Sequence, residues 1–156
     1  MARRKNTFWN RNKFKLSGLI LILPIYFLYD QLQPPVFPDV WEEKQVGPFE
    51  VAIQPLNNDA PYAHHEDWVK DFSAYVNEGK VADIRQGYVN IGEEPMPLET
   101  LQSDDVGIMH GSELLQHVHA IAPQNYKPEH RVWVTLQTWD GSVHKASWKI
   151  PENWLK

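Results

Sequence analysis

The chain has 156 residues, no cysteine and a formal net charge of −5. Without cysteine it forms no disulfide, and covalent c-type haem, iron–sulfur clusters and thiolate copper sites are excluded. Six basic residues and no acid precede residue 16, whereas the remainder carries nine basic residues against twenty acids, a net charge of −11. This acidic remainder argues against nucleic-acid binding, which needs a basic surface, and it favours cations or basic partners.

An apolar, uncharged run follows the basic residues over Leu16–Tyr29. Its 14 residues are fewer than the roughly 20 that cross about 30 Å of hydrocarbon. Snorkelling of Lys15 and the weakly polar residues 30–33 make up the difference. We therefore predict a transmembrane helix over residues 16–33, which Pro24 would kink.

Positive charge is retained on the cytoplasmic side of a membrane. The predicted topology is thus a single-pass inner-membrane protein, with a cytoplasmic basic tail over residues 1–15 and a periplasmic C-terminal domain. A cleavable signal peptide is the alternative, although residues 29–34 (YDQLQP) lack the small residues of a cleavage site. A buried soluble helix is a third interpretation, which the flanking cations disfavour.

A proline-rich linker is predicted over residues 34–46, because three prolines in the sequence QPPVFPDVW favour a stiff, extended chain. The remaining residues, 47–156, are enough for one domain. Within it, Gly47–Leu56 alternates apolar and polar residues, as a half-buried strand does. Ile84–Ile91 predicts a second strand, with a bulge or close approach at Gly87.

One helix is predicted inside this domain, over Tyr62–Glu78. Its apolar residues recur at helical spacing, and Gly79 follows as a C-cap candidate. The apolar stripe consists of Trp68, Phe72, Tyr75 and Val76. Residues 112–123 (SELLQHVHAIAP) are ambiguous. A strand places His117 and His119 on one face, whereas a short helix would bring together His110, Glu113 and His117.

The clearest element is a hairpin at the end of the chain, where Asp140-Gly141 separates Arg131–Trp139 from Ser142–Ile150. A three-residue loop with Gly141 in the left-handed conformation pairs Thr138 with Ser142. It produces one apolar face, formed by Val132, Val134, Leu136, Ala146, Trp148 and Ile150, with His144 at its open end. A two-residue loop would instead set Leu136 opposite Lys145 and Val132 opposite Lys149, so apolar and charged residues would share a face. We therefore predict a mainly β fold, a small antiparallel immunoglobulin-like sandwich with one inserted helix; an α+β domain is the alternative.

Histidines are the candidate metal ligands. His117 and His119 share a strand face, and His110 is a candidate third donor. His64 and His65 form a weaker candidate pair at the predicted helix start, where the helix dipole would keep them neutral. Imidazole suits iron, copper or zinc, although two histidines at alternate positions also occur on ordinary exposed strands. No catalytic motif is present, so we predict a non-enzymatic protein with no cofactor other than such an ion.

Three stretches carry a family resemblance: IRQGYVNIGEEPMPLETL, DVGIMHGSELLQHVHAIAP and RVWVTLQTWDGSVHKASWKIP. The chain resembles small single-span periplasmic accessory proteins of proteobacteria that are associated with PepSY-type siderophore or iron reductase systems. The resemblance implies an accessory role in iron–siderophore uptake or reduction, with inner-membrane or periplasmic proteins as partners. In its single span and small domain it is also similar to FixH-type accessory proteins of oxidase assembly. The alternative function is therefore a structural or assembly subunit of an inner-membrane complex with no ligand of its own.

Overall fold

The computed structural model describes residues 7–155. The chain divides into two compact units, Met1–Val36 and Phe37–Lys156. We call the first the helical unit and the second the β unit.

The helical unit contains α1 (Phe8–Leu19) and α2 (Ile22–Gln31). Together they make a 24-residue helical stretch, Phe8–Gln31, that is long and apolar enough to cross a membrane. A signal sequence near an N-terminus has the same properties. The stretch starts eight residues before the predicted start at residue 16, because polar residues of the basic tail continue the helix.

The two helices are separated at Ile20 and Leu21, where the amides donate to the carbonyls of Ser17 and Gly18 over 3.2 and 3.1 Å. Pro24 explains this break, since its nitrogen carries no hydrogen for the carbonyl of Ile20 and its ring crowds that carbonyl. The interruption agrees with the predicted effect of Pro24.

Within the described residues 37–155, the β unit is built on one nine-stranded sheet. The strand order is β1-β2-β4-β7-β5-β8-β9, with β3 paired to β4 and β6 paired to β7. Its pairs are antiparallel except β5 with β7. The mainly β, antiparallel prediction is confirmed. The strands are β1 (Lys44–Val46), β2 (Phe49–Pro55), β3 (Tyr62–His64), β4 (Asp67–Glu78), β5 (Ile84–Gly92), β6 (His110–Gly111), β7 (Gln116–Ile121), β8 (Arg131–Thr138) and β9 (Val143–Lys149).

The sheet curls so that its edge strands, β1 and β9, approach each other. Lys44 Nζ donates to the carbonyl of Ser147 over 3.0 Å, and Trp148 Nε1 donates to the carbonyl of Glu42 over 2.7 Å. One face of the sheet therefore encloses a single core, and the two layers of the predicted sandwich are parts of one sheet. The core includes Val51, Phe72, Val89, Val118, Val134, Leu136 and Trp148, all at most 1% exposed.

The predicted helix over Tyr62–Glu78 is wrong, because these residues form β3 and β4. β4 pairs with β2 on one side and β7 on the other, and it buries Phe72 and Ala74 in the core. These non-local pairings outweigh the helical spacing of the apolar residues. The helix inserted in the β unit is instead the short α3 (Leu98–Ser103).

The β unit begins before residue 47, inside the predicted linker. The Trp41 amide donates to the carbonyl of Ile53 over 2.8 Å. The Trp41 ring packs 5.8 Å from Phe72 and 5.6 Å from Trp154, measured between ring centroids. Residues 44–46 form β1. Packing of the partly buried Trp41 indole against the core thus converts most of the proline-rich segment into part of the domain.

The closing hairpin has the predicted register. Val132 lies opposite Trp148, and Leu136 lies opposite His144. Thr138 and Ser142 close the loop through a hydrogen bond of 3.0 Å, and Gly141 has φ +87°. The strands predicted near residues 47–56 and 84–91 are also present, and a β-carbon on Gly87 would lie 2.7 Å from Met109 Sδ.

Two glycines provide a test of this packing. Gly47 and Gly141 both have positive φ, but a β-carbon would overlap the His144 ring at Gly47 and would meet nothing within 4 Å at Gly141. We expect Gly141→Ala to lower the free energy of unfolding by about 1–2 kcal/mol, from backbone strain alone. Gly47→Ala should cost roughly 1–3 kcal/mol more, from overpacking. Chemical denaturation measures both, and equal losses would contradict the predicted contact with His144.

Candidate metal centre

Five histidines lie on the outer face of the sheet, around β7. His117 and His119 are two residues apart on β7, so their side chains leave the same face. His110 on β6 is directly opposite His117, and Asp71 on β4 is directly opposite His119. Residues directly opposite in an antiparallel pair have side chains on one face. We call Asp71, His110, His117 and His119 the histidine face.

Three of these side chains can reach one ion. One ligand atom each from Asp71, His117 and His119 lies within 4.8 Å of the others, and all three residues are partly buried. The His117 and His119 ring centroids are 4.7 Å apart, and those of His110 and His117 are 5.4 Å apart. A tetrahedral metal with metal–nitrogen distances of about 2.1 Å holds imidazole centroids about 5 Å apart. The spacing is therefore close to that of a metal site, with small side-chain rotations completing it.

Asp71 orients His119. His119 Nδ1 lies 2.6 Å from Asp71 Oδ1, and a carboxylate only accepts, so Nδ1 carries a hydrogen, and in the neutral ring the lone pair is on Nε2. The Tyr62 hydroxyl lies 3.1 Å from both Asp71 oxygens. Partial burial, with the Asp71 charge second, raises the pKa of Tyr62, so its hydroxyl remains a donor. Such a carboxylate–histidine pair raises the basicity of a ligating nitrogen.

In the His110 ring, as in His119, Nδ1 is the hydrogen-bond donor. Its Nδ1 lies 3.2 Å from the carbonyl of Ile108, and a carbonyl only accepts. Nδ1 therefore carries the hydrogen, and the Nε2 lone pair is available to a metal. His110 is exposed and next to the cluster, so it is the natural third imidazole if Asp71 stays bonded to His119.

His117 is held neutral. Burial is the main cause that lowers its pKa, and the neighbouring His119 and His110 lower it further against the opposing effect of Asp71. A metal ligand must be deprotonated. His117 therefore presents a lone pair to a cation at neutral pH with little competition from protons.

His64 and His65 extend the cluster, though not from a helix start. They lie at the tight turn between β3 and β4, where His64 pairs with Asp67. The helix-dipole argument for their neutrality does not apply. The His64 ring stacks on His119 with centroids 5.2 Å apart, and the His65 ring lies 4.4 Å from His64. His65 has φ 54°, a conformation uncommon for a side-chain-bearing residue.

An acidic cleft of about 600 Å³ opens beside this turn. Its walls come from the β3–β4 turn, with Glu66 and Asp67, and from the loop after α3, with Asp104 and Asp105. The concentration of carboxylates produces a negative potential next to the histidines, which raises the local concentration of cations.

Sequence reasoning identified all five histidines but missed Asp71 and Tyr62. Both lie in the segment predicted as a helix, and a helix would have directed Asp71 away from β7. The alternation of polar Asp71 and Ser73 with apolar Phe72 and Ala74 is the one local signal of a strand face.

The chain matches the model of one protein family, described as uncharacterised conserved protein UCP029505, over residues 8–151. The chain belongs to this family. No curated protein and no solved structure matches it. The matched region includes both the apolar helical stretch and the histidine face.

The low pKa of His117 gives a pH test of the folded state. With a folded pKa below the unfolded value of about 6.5, the unfolded chain binds more protons in this range, so stability falls as pH decreases. We expect the free energy of unfolding to decrease between pH 7 and pH 5, and to decrease less in His117→Gln. Denaturation at each pH measures this effect. A His117 proton resonance that titrates above 6.5 would contradict it.

Proposed function

We propose that this protein is a membrane-anchored, non-enzymatic binding subunit whose histidine face holds one transition-metal cation. The observation that carries the proposal is the meeting of Asp71, His117 and His119 from two paired strands within 4.8 Å. Imidazole with carboxylate is a donor set for iron, zinc or copper.

Two arrangements of ligands suit the site. In one, Asp71, His117 and His119 bind the ion directly. In the other, His110, His117 and His119 bind it through imidazole nitrogens, and Asp71 remains the hydrogen-bond acceptor of His119 Nδ1. The 2.6 Å contact between Asp71 and His119 favours the second, because it already fixes the tautomer that leaves Nε2 free.

The biological setting we propose is the periplasmic side of the inner membrane, in an iron–siderophore uptake or reduction system. The six basic residues before residue 16 support this orientation through the positive-inside rule. The resemblance to accessory proteins of PepSY-type reductase systems supports the process, and membrane proteins of such a system would be the partners.

Metal titration of the full chain in non-ionic detergent, purified without a histidine tag and stripped by chelator, tests the site. We expect one equivalent of Zn²⁺, Cu²⁺ or Fe²⁺ to bind the wild type. The double variant His117→Ala with His119→Ala should bind at least about 100-fold more weakly, because structural sites depend on each ligand. His144→Ala, on β9, is the matched histidine control and should bind as the wild type does.

Asp71→Asn separates the two ligand arrangements. If Asp71 only orients His119, Asp71→Asn should weaken metal binding by about 10–100-fold. His110→Ala should then weaken metal binding by a similar factor. Direct ligation by Asp71 predicts a larger loss in Asp71→Asn and none in His110→Ala. A wild type that binds no metal would refute the proposal and favour the alternative, a structural or assembly subunit with no ligand of its own.

Topology has a separate test, for which the absence of cysteine is an advantage. Lys145 is exposed on β9. A single cysteine introduced there by Lys145→Cys should react with a membrane-impermeant maleimide in intact spheroplasts. Asn12→Cys, in α1, should react only after lysis. Labelling of Asn12→Cys in intact spheroplasts, or protection of Lys145→Cys, would contradict the proposed orientation, and a shorter mature chain would indicate a cleaved signal peptide.

A further inference from the structure

A second feature lies at the seam where β1 meets β9, in a groove of about 320 Å³. Three cations, Lys44, Arg131 and Lys149, and one carboxylate, Glu42, line it. The aromatic and apolar surfaces of Trp41, Trp148 and Pro151 complete the lining. We call this the cationic groove. Residues 37–156 contain nine basic residues against nineteen acids, whereas the groove has three cations against the single carboxylate of Glu42, so the sign of the charge is locally reversed.

The placement of two of these cations is unfavourable for folding. Arg131 and Lys149 are directly opposite each other across β8 and β9. Like charges directly opposite in an antiparallel pair repel, and opposite charges there would attract. A residue pair that destabilises the sheet is typical of a functional site rather than of packing.

The charges in the groove are also incompletely paired. Lys44 contacts Glu42 over 2.8 Å, and Arg131 Nε donates to Ser147 Oγ over 2.7 Å. Within residues 7–155, no hydrogen bond or ion pair is made by the Lys149 ammonium or by the terminal nitrogens of Arg131, although the positive charge of Lys149 adds to the effect of Lys44 in lowering the pKa of Glu42. These donors point to an anionic group as the missing partner, since a guanidinium and an ammonium bind phosphate or carboxylate oxygens through charge-assisted hydrogen bonds.

The rest of the groove is apolar. Trp41 and Pro151 are partly exposed, and Lys44 lies 5.7 Å from the centroid of the Trp148 ring. A flat hydrocarbon ring packs on such surfaces, and the volume is that of a small-molecule site. We propose that the cationic groove binds a small organic anion that carries a planar ring. Its phosphate or carboxylate lies between Arg131 and Lys149, and its ring lies against Trp41 and Pro151.

Phenyl phosphate is the probe, because its charge keeps it out of non-ionic micelles. Calorimetric titration of the full chain should show saturable binding with a dissociation constant of about 1 mM or below. Inorganic phosphate, which lacks the ring, and phenol, which lacks the charge, should each bind at least about tenfold more weakly. Absence of binding by phenyl phosphate would overturn the proposal, and equal binding of inorganic phosphate would overturn the role of the ring.

Lys149→Gln is the decisive variant, with Lys145→Gln as the matched control on the same strand. Lys149→Gln should weaken binding of phenyl phosphate about tenfold, and Lys145→Gln should leave it unchanged. Because Lys149→Gln removes the repulsion with Arg131, its melting temperature should equal or exceed that of the wild type. Loss of binding with retained stability supports the site. Equal affinities of the two variants, or a lower melting temperature for Lys149→Gln, would refute it.

Discussion

The register between β4 and β7 is the constraint on which the candidate metal centre depends. It places Asp71 opposite His119 and Ser73 opposite His117, while the core residues Phe72 and Val118 face the other way. Because side chains alternate along a strand, a slip of one residue would move the carboxylate to the core side. The apolar core therefore enforces the arrangement of the polar face, and no local sequence preference is needed to assemble it.

Local features of the sequence predicted the elements that depend on neighbouring residues. Asp140-Gly141 determined the hairpin and its register, and the spacing of His117 and His119 placed both on one face. β4 could not be predicted in this way. Trp68 and Phe72 are four residues apart, which fits a helix, and the partners that make the segment a strand, β2 and β7, are distant in sequence. Asp71 was missed for the same reason, since its role is visible only when β4 and β7 are side by side.

The two proposed sites lie on one small sheet and have surroundings of opposite charge. The histidine face lies beside carboxylates from Glu66, Asp67, Asp104 and Asp105, and it attracts cations. The cationic groove gathers Lys44, Arg131 and Lys149 at the seam of β1 and β9, and it attracts anions. They lie on different strands and share no residue, so a substitution in one should leave the chemistry of the other intact.

The seam also has a consequence for how the chain folds. Trp148 bonds to the carbonyl of Glu42, 106 residues earlier, and Trp154 packs on Trp41. The first and last parts of the β unit thus complete the same core. Contacts of such large sequence separation slow folding, and Trp154 is synthesised long after Trp41, the residue on which it packs. The domain therefore remains open until Trp148 and Trp154 have been synthesised, so the order of synthesis delays its folding.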